Sequence, residues 1–461
     1  MAGSCDLTIS AILRTARPAS RTPSSLRPHL AWISSWGGEP IPPPGPVTVV
    51  IASRGRPRHL ARCLLSLSQQ YFHPFEIVVV GDGEAAQVAL VAPVRTRHVP
   101  FDAANLSAAR NAGIAAASGE VIAFIDDDAT AEPTWLEHLT RPFLDDAVAA
   151  TGGFVRGRNG ISFQWRARSI DRDGFHRDID VPGDAPFVPA VPTGAAVRTE
   201  GTNMAVRRSA LFRVGGFDEA LRFYLDDADL NMRLAEHGLE TRICPRAEVH
   251  HATAASGQRR KDRVPISLKD IGASLAVYLS KYAGVGAGAA LDAHRASERN
   301  RALRHMVAGR LAPGAVDQLL SSFDTGFEEG RGRIPAIPAI GPPDLPFLAA
   351  ISVVSPPTHK VFAGRPWQRA RLEQLARAAR ASGAVVTLYR FSPSALFHHV
   401  RFTDSGIWLQ TGGLFGRSDR NTPLIRRALF SSRVAEETAR VAEVRQSAYL
   451  ETGKMSKKAE I

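Results

Sequence analysis

From Val47 onward, short apolar runs alternate with stretches whose apolar residues recur every three or four positions. The runs have the length of buried strands, and the stretches have the period of helices lying on a sheet. Val47–Ala52 predicts a strand, followed by a helix opened by Pro57 with Leu60, Cys63, Leu64 and Leu67 on one face. Phe75–Val80 predicts a second strand, Val94–Val99 a shorter third and Val121–Ile125 a fourth. Between the last two, the Ala-rich stretch Asn105–Ser118 reads as a helix stopped by Gly119, and another helix follows at Pro133–Leu144. Strands that are apolar throughout, separated by helices, belong to a parallel sheet covered on both faces.

The pattern loosens after about residue 146 into Gly- and Arg-rich loops and then tightens again. Thr202–Val206 predicts a strand, Leu225–His237 a helix and Glu240–Cys244 a strand, and residues 266–284, 289–310 and 313–322 have helical periodicity. Prolines at 335, 338, 342, 343 and 346 exclude a helix between Ile334 and Pro346, which reads as a linker. Beyond it, a helix at 367–382, strands near 384–390 and 400–410 with an Asp404-Ser405-Gly406 turn, and a helix at 424–445 predict a small α/β module. The expected divisions are therefore a lead-in at 1–46, a nucleotide-binding domain at 47–256, a helical extension at 257–333, the linker at 334–346 and the module at 347–461.

Composition narrows the class. The 461 residues are 44% hydrophobic and 22% charged, which fits a packed globular protein and excludes a disordered or fibrous one. Residues 1–46 differ: Arg14, Arg17, Arg21 and Arg27 face only Asp6 and Glu39, and the segment ends in Pro42-Pro43-Pro44-Gly45-Pro46, leaving little to bury. It reads as a disordered lead-in, though transit peptides share this composition. Cys5, Cys63 and Cys244 are too scattered for a disulfide framework, which suits a reducing, cytoplasmic setting. No apolar run is long enough to span a bilayer. The net charge of +12 raises the question of nucleic acid, but no zinc-finger, KH or RNP spacing is present and no nucleic-acid partner is expected.

In open parallel sheets ligands bind beyond the carboxyl ends of the strands. Ser53-Arg54-Gly55-Arg56 follows the first strand, Asp82 between two glycines the second, and Asp126-Asp127-Asp128 the fourth. Three adjacent aspartates repel one another unless a cation balances them, and Mg²⁺ or Mn²⁺ commonly bridges such carboxylates to substrate phosphates. A plain alternative is that they start the turn into the next helix. A second acidic group, Asp226-Asp227-Ala228-Asp229, opens the helix that carries Arg233. Asp229 and Arg233 could form a surface pair and the others complement the helix dipole, or one carboxylate could accept a proton from an incoming hydroxyl. His250-His251 follows, with an imidazole able to complete a manganese site or simply to pack.

Taken in order, VTVVIASRGRPRHLARCLLSLSQQ, FEIVVVGDGE, NLSAARNAGIAAASGEVIAFIDDDATAEPTWL, GTNMAVRRSALFRVGGFDEALRFYLDDADLNMRL and the VHH at 249–251 resemble the family 2 inverting glycosyltransferases, over about residues 47–251. The resemblance implies a GT-A fold, a nucleotide-binding mixed sheet flanked by helices. It also implies that Ser53, Arg54, Asp82, Arg110, Asp126 and Asp127 hold a nucleotide-sugar donor, and that Asp126, Asp128 and His250, or failing it His251, hold Mn²⁺ or Mg²⁺. Asp227 would be the general base, with Asp226 and Asp229 on the acceptor side. Three positions depart from the commonest pattern: Gly55 stands where Asn is usual, Gly81 replaces the first acid of an Asp-Asp-Gly turn, and Asp226 replaces Glu.

The implied reaction is sugar transfer from a nucleotide-sugar to the hydroxyl of a glycan or lipid-linked acceptor. A sugar-1-phosphate nucleotidyltransferase fits less well, since its Gly-rich phosphate loop is missing, and a dehydrogenase lacks G-x-G-x-x-G after the first strand. A non-catalytic nucleotide-sugar-binding protein is the alternative of a different class. Ile266, Ile271, Leu275, Tyr278 and Leu279 with Lys269 and Lys281 would suit an interfacial helix at the inner membrane face, or a helix packed on the domain. The module after residue 347 carries no functional signal.

Overall fold

The computed structural model describes residues 45–252, 258–350, 354 and 359–445. The lead-in up to residue 44 and its Cys5 lie outside them. The main sheet begins as expected. β1 (Val47–Ser53) pairs in parallel with β2 (Phe75–Gly81) and β4 (Val121–Phe124), and β3 (Arg97–Pro100) extends it beyond β2. Alternate residues of β1 serve opposite faces. Val47, Val49 and Ile51 pack with Leu60, Cys63, Leu64 and Leu67 of α1 (Pro57–Leu67), while Val50 joins Val78, Val80 and Ile114 on the side of α3 (Leu106–Ala116). Burial on both faces is why these strands read as unbroken apolar runs. α2 (Gly83–Leu90) returns the chain from β2 to β3.

The parallel order expected from the pattern ends at β4. β11 (Met204–Arg207) inserts antiparallel between β4 and β6 (Val148–Arg156), and β12 (Glu240–His251) runs parallel to β6. β5 (Ala129–Ala131) closes the edge antiparallel to β12, giving the order β3-β2-β1-β4-β11-β6-β12-β5, with β7 (Phe163–Trp165) on β6. This is a mixed sheet flanked by helices. α4 (Trp135–Thr140) packs beneath it, and α5 (Arg208–Val214) and α6 (Asp226–Glu236) follow β11. β8 (Arg168–Ile170), β9 (His176–Asp178) and β10 (Ala196–Arg198) form a small separate sheet. β12 runs well past the predicted Cys244, because a register shift between Cys244 and Glu248 carries the strand past Pro245, which cannot donate to a ladder.

α7 (Lys269–Tyr282), α8 (Ala287–Val307) and α9 (Pro313–Arg331) form the helical extension. α7 and α9 approach closely because a Cβ at Gly326 or Gly330 would collide with the backbone of Lys269 or Ala273. Their core buries Leu275, Tyr278 and Leu279, with Ile271 packed against it, so this face packs within the protein as the alternative reading had it, and of the apolar residues in that set only Ile266 stays exposed. No helix among the described residues is long and apolar enough to cross a membrane. The proline-rich stretch is no free tether. It lies against the domain, with Ala336 N–H donating to Asp218 at 2.8 Å and Leu348 N–H to Glu76 at 3.0 Å.

The last module has β13 (His359–Gly364), α10 (Arg369–Ala381), β14 (Val385–Ser392), β15 (His399–Phe402), β16 (Ile407–Gly413) and α11 (Phe430–Arg445). Its sheet order is β13-β14-β16-β15, parallel except for the β15–β16 hairpin. The helix expected from residue 424 starts only at Phe430, since Ile425 bridges back to Gly416. The module shares a core with the first domain, where Val400, Phe402 and Trp408 meet Tyr71 and Ile161.

Candidate active site

The carboxyl ends of β1, β2 and β4 open into one crevice, and each delivers a polar residue for a local reason. Asp82 caps α2, accepting from Ala85 N–H at 2.9 Å, and also accepts from Gly55 N–H at 2.7 Å, tying the turn after β1 to that after β2. Arg54 lies at the rim, paired with Asp102 at 2.9 Å. Ser53 and Asp127 turn inward instead of facing a ligand. Ser53 Oγ donates to Asp127 at 2.8 Å and Arg56 reaches the other carboxylate oxygen at 2.8 Å. Burial pushes Asp127 up to about 7, with Arg56 opposing. The middle aspartate thus anchors the loop, which differs from the place against the donor expected of it, while Asp126 and Asp128 on either side face Arg110 and His251.

Asp126 and Asp128 converge with His251: one ligand atom from each lies within 4.8 Å of the others. His251 Nε2 stands 3.1 Å from Asp128, and its Nδ1 has no hydrogen-bond partner among the described residues. Burial disfavours a charged imidazole here, yet Asp128 outweighs it and the net shift is upward. Two carboxylates and an imidazole are the donor set that Mn²⁺ accepts, so these residues fit a divalent cation.

His250, the first choice from sequence, is not part of this group. Because β12 continues through both histidines, paired as His250 with Thr130 and His251 with Ala129, they point to opposite faces. His250 Nε2 meets Glu132 at 2.7 Å and its ring lies 4.7 Å from Trp408. Glu132 also takes a two-pronged pair from Arg445 at 2.8 Å on each oxygen. Burial alone would raise Glu132, but Arg445 and His250 hold it down at about 2.

The second acidic group reaches the same crevice through Arg110. Its buried guanidinium pairs with Asp226 and lies 3.3 Å from Asp126, so one cation joins the two motifs. Gly201 is packed against that guanidinium with no room for a Cβ. Burial lifts Asp226 to about 6 against the pull of Arg110. Asp227 accepts from Gly201 N–H at 3.0 Å and lies 3.6 Å from Arg198, a residue at the end of β10 that sequence reasoning missed although it stands three positions before the quoted GTN. Asp229, expected on the acceptor side, is fully buried, with Arg233 at 2.9 Å, Tyr282 at 2.8 Å and Lys281 of α7 as partners.

Residues 48–217 match the model for glycosyl transferase family 2. The chain carries a family 2 glycosyltransferase domain. A pre-mycofactocin glycosyltransferase from Mycobacterium tuberculosis is 33% identical over 232 residues, covering 46% of this chain and 44% of that protein. The N-acetylglucosaminyl-diphospho-decaprenol L-rhamnosyltransferase of the same organism is 29% identical over 247 residues, covering 46% of this chain and 78% of the relative. Among solved structures, a mannosyltransferase from Pyrobaculum calidifontis in complex with GDP-Man and Mn²⁺ aligns with a TM-score of 0.38 at 15% identity, over 63% of this chain and 89% of that one. The family match ends before α6 and β12. The residues that complete the crevice of the glycosyltransferase domain from 226 onward are therefore placed by the geometry above.

Beside the metal-capable group is a cavity of about 90 Å³ lined by His59, Arg158, Asp128 and His251. Val400, Arg401 and Phe402 of β15 form its far wall, so the module that sequence left unread borders the crevice of the glycosyltransferase domain. Arg56 and Arg259 also approach Asp128, at 3.5 and 4.0 Å, which makes this edge cationic apart from its aspartates.

Proposed function

We propose that the protein transfers a sugar from a nucleotide-sugar donor to an acceptor hydroxyl by a single displacement with inversion. The observation that carries this is the Arg110 bridge, which sets the Asp126/Asp128/His251 group and the Asp226/Asp227 pair in one crevice of a family 2 domain. Asp126, Asp128 and His251 would hold Mn²⁺ or Mg²⁺, which when bound neutralises a departing diphosphate as a Lewis acid. Arg54 and Asp82 lie where the nucleotide base would rest, over the ends of β1 and β2. Arg56 and Arg259 add positive charge on the diphosphate side.

Asp227 serves as general base. Gly201 N–H and Arg198 orient its carboxylate, which receives the acceptor proton as the oxygen attacks the anomeric carbon. Arg110, holding Asp226 and Asp126 together, fixes the separation between base and leaving group. The relative named as an N-acetylglucosaminyl-diphospho-decaprenol L-rhamnosyltransferase supports an acceptor of glycan or lipid-linked type.

Asp227→Asn keeps the size and the Gly201 contact while removing the base. It should lower kcat by about 10²- to 10⁴-fold and leave donor affinity nearly unchanged, read by product formation and by thermal shift with UDP-, GDP- and dTDP-sugars plus Mn²⁺. Normal turnover by this variant refutes the assignment.

A further inference from the structure

An apolar surface is left uncovered on the last module. Leu396 and Phe397, on the loop before β15, are 64% and 52% exposed, and Leu424, Ile425 and Leu429, on the loop before α11, are 57%, 69% and 74% exposed. The two loops form one surface. Gly413 N–H donates to Leu396 at 2.9 Å, His398 N–H to Arg417 at 3.1 Å and Arg426 N–H to Phe415 at 3.0 Å, and Ile425 bridges to Gly416. The patch is ringed by cations: Arg417 stacks 4.8 Å over Phe397, and Arg420 and Arg427 are exposed.

We propose that this surface docks on an anionic phospholipid bilayer, with the apolar side chains entering the interface and the arginines meeting headgroup phosphates. Apolar side chains flanked by guanidiniums are what such an interface rewards. A second copy of the chain is a poor occupant, because each copy has a net charge of +12 and would bring its own arginines against the same patch. The position matters. Phe397 is three residues from Val400, which lines the cavity beside Asp128, so at most about 10 Å of chain separates the patch from the candidate active site. Delivery of a lipid-borne acceptor to that cavity rests on the transfer reading; the docking itself does not.

The test is co-sedimentation of the full chain with vesicles of phosphatidylcholine alone or with about one third phosphatidylglycerol. Wild type should pellet with the anionic vesicles only, and less as salt rises. Leu424→Ser with Ile425→Ser, and separately Arg420→Glu with Arg427→Glu, should each weaken the apparent Kd at least about tenfold with an unchanged Tm. Should the serine pair unfold the module, the glutamate pair, which touches only exposed side chains, decides. The proposal is overturned if wild type stays in the supernatant with both vesicles, or if both variants pellet as wild type does. It is equally overturned if light scattering shows a wild-type dimer that the serine pair dissolves, which makes the patch a self-interface. Donor-induced thermal shift, measured on the same samples, stays normal in any of these outcomes unless the transfer reading is itself wrong.

Discussion

His250 and His251 are one step apart on β12, and that step separates a buried ion-pair network from the metal-capable corner. Their substitutions should therefore fail differently. His251→Ala removes a proposed ligand and should raise the Mn²⁺ concentration needed for binding at least about tenfold in a paramagnetic resonance titration, with little change in Tm. His250→Ala should leave that titration nearly intact and cost about 1–3 kcal/mol in urea unfolding, because Glu132 loses a buried partner. Equal effects of the two substitutions on metal binding would refute the split. The dipeptide alone cannot assign these roles, since side chains alternate only where the strand is known to continue. Asp127 teaches the same lesson: which of three aspartates in a row is turned inward depends on Ser53 at the end of β1 and Arg56 just before α1.

At the scale of elements, the edge strand β5 is covered by α1, whose Ser66 Oγ accepts from Ala131 N–H at 3.0 Å. α11 clasps the residues that follow it. Arg445, the last described residue of that helix, inserts beneath β5 onto Glu132, with its guanidinium 4.2 Å over Trp408 and one arm 3.1 Å from Thr387. Tyr71 and Thr134 of the first domain donate to the carbonyls of Arg445 and Val444 at 3.0 and 2.9 Å. Arg445→Ala leaves a carboxylate buried with only His250 beside it and should destabilise the protein by about 3–5 kcal/mol in urea unfolding. A loss under about 1 kcal/mol would mean the clasp contributes little. None of this could be read from residue 445, an arginine on an amphipathic helix whose partner lies 313 positions earlier.

For the whole molecule, the contact between the module and the first domain has a pH dependence that can be isolated. Burial pushes His138, beside Glu443 of α11, and His359, beside Arg445, down to about 4. A histidine lowered in the fold binds fewer protons than in the unfolded chain, so its contribution is present above about 6.5 and is lost as pH falls toward 4. Asp127 and Asp226, raised to about 7 and about 6, act with the opposite sign over an overlapping range, and the wild-type profile is a sum of the two. The difference between wild type and His359→Asn removes the common part. It should grow by about 2 kcal/mol in favour of wild type between pH 5 and pH 7.5, measured as unfolding free energies. A constant difference refutes the assignment.

What the sequence by itself determined is the run of central strands and their helices, and the polar residues at the strand ends. Both depend on local pattern: apolar runs such as Val47–Ala52 can form little else, and Asp126-Asp127-Asp128 follows one directly. The tertiary structure alone decided the insertion of β11 between β4 and β6, the inward turn of Asp127, the choice of His251, the bridge from Arg110 to both acidic motifs and the module's place against the crevice. Each of those depends on groups far apart in the chain whose charges and volumes meet only when the sheet is assembled, so no short stretch of sequence contains the information.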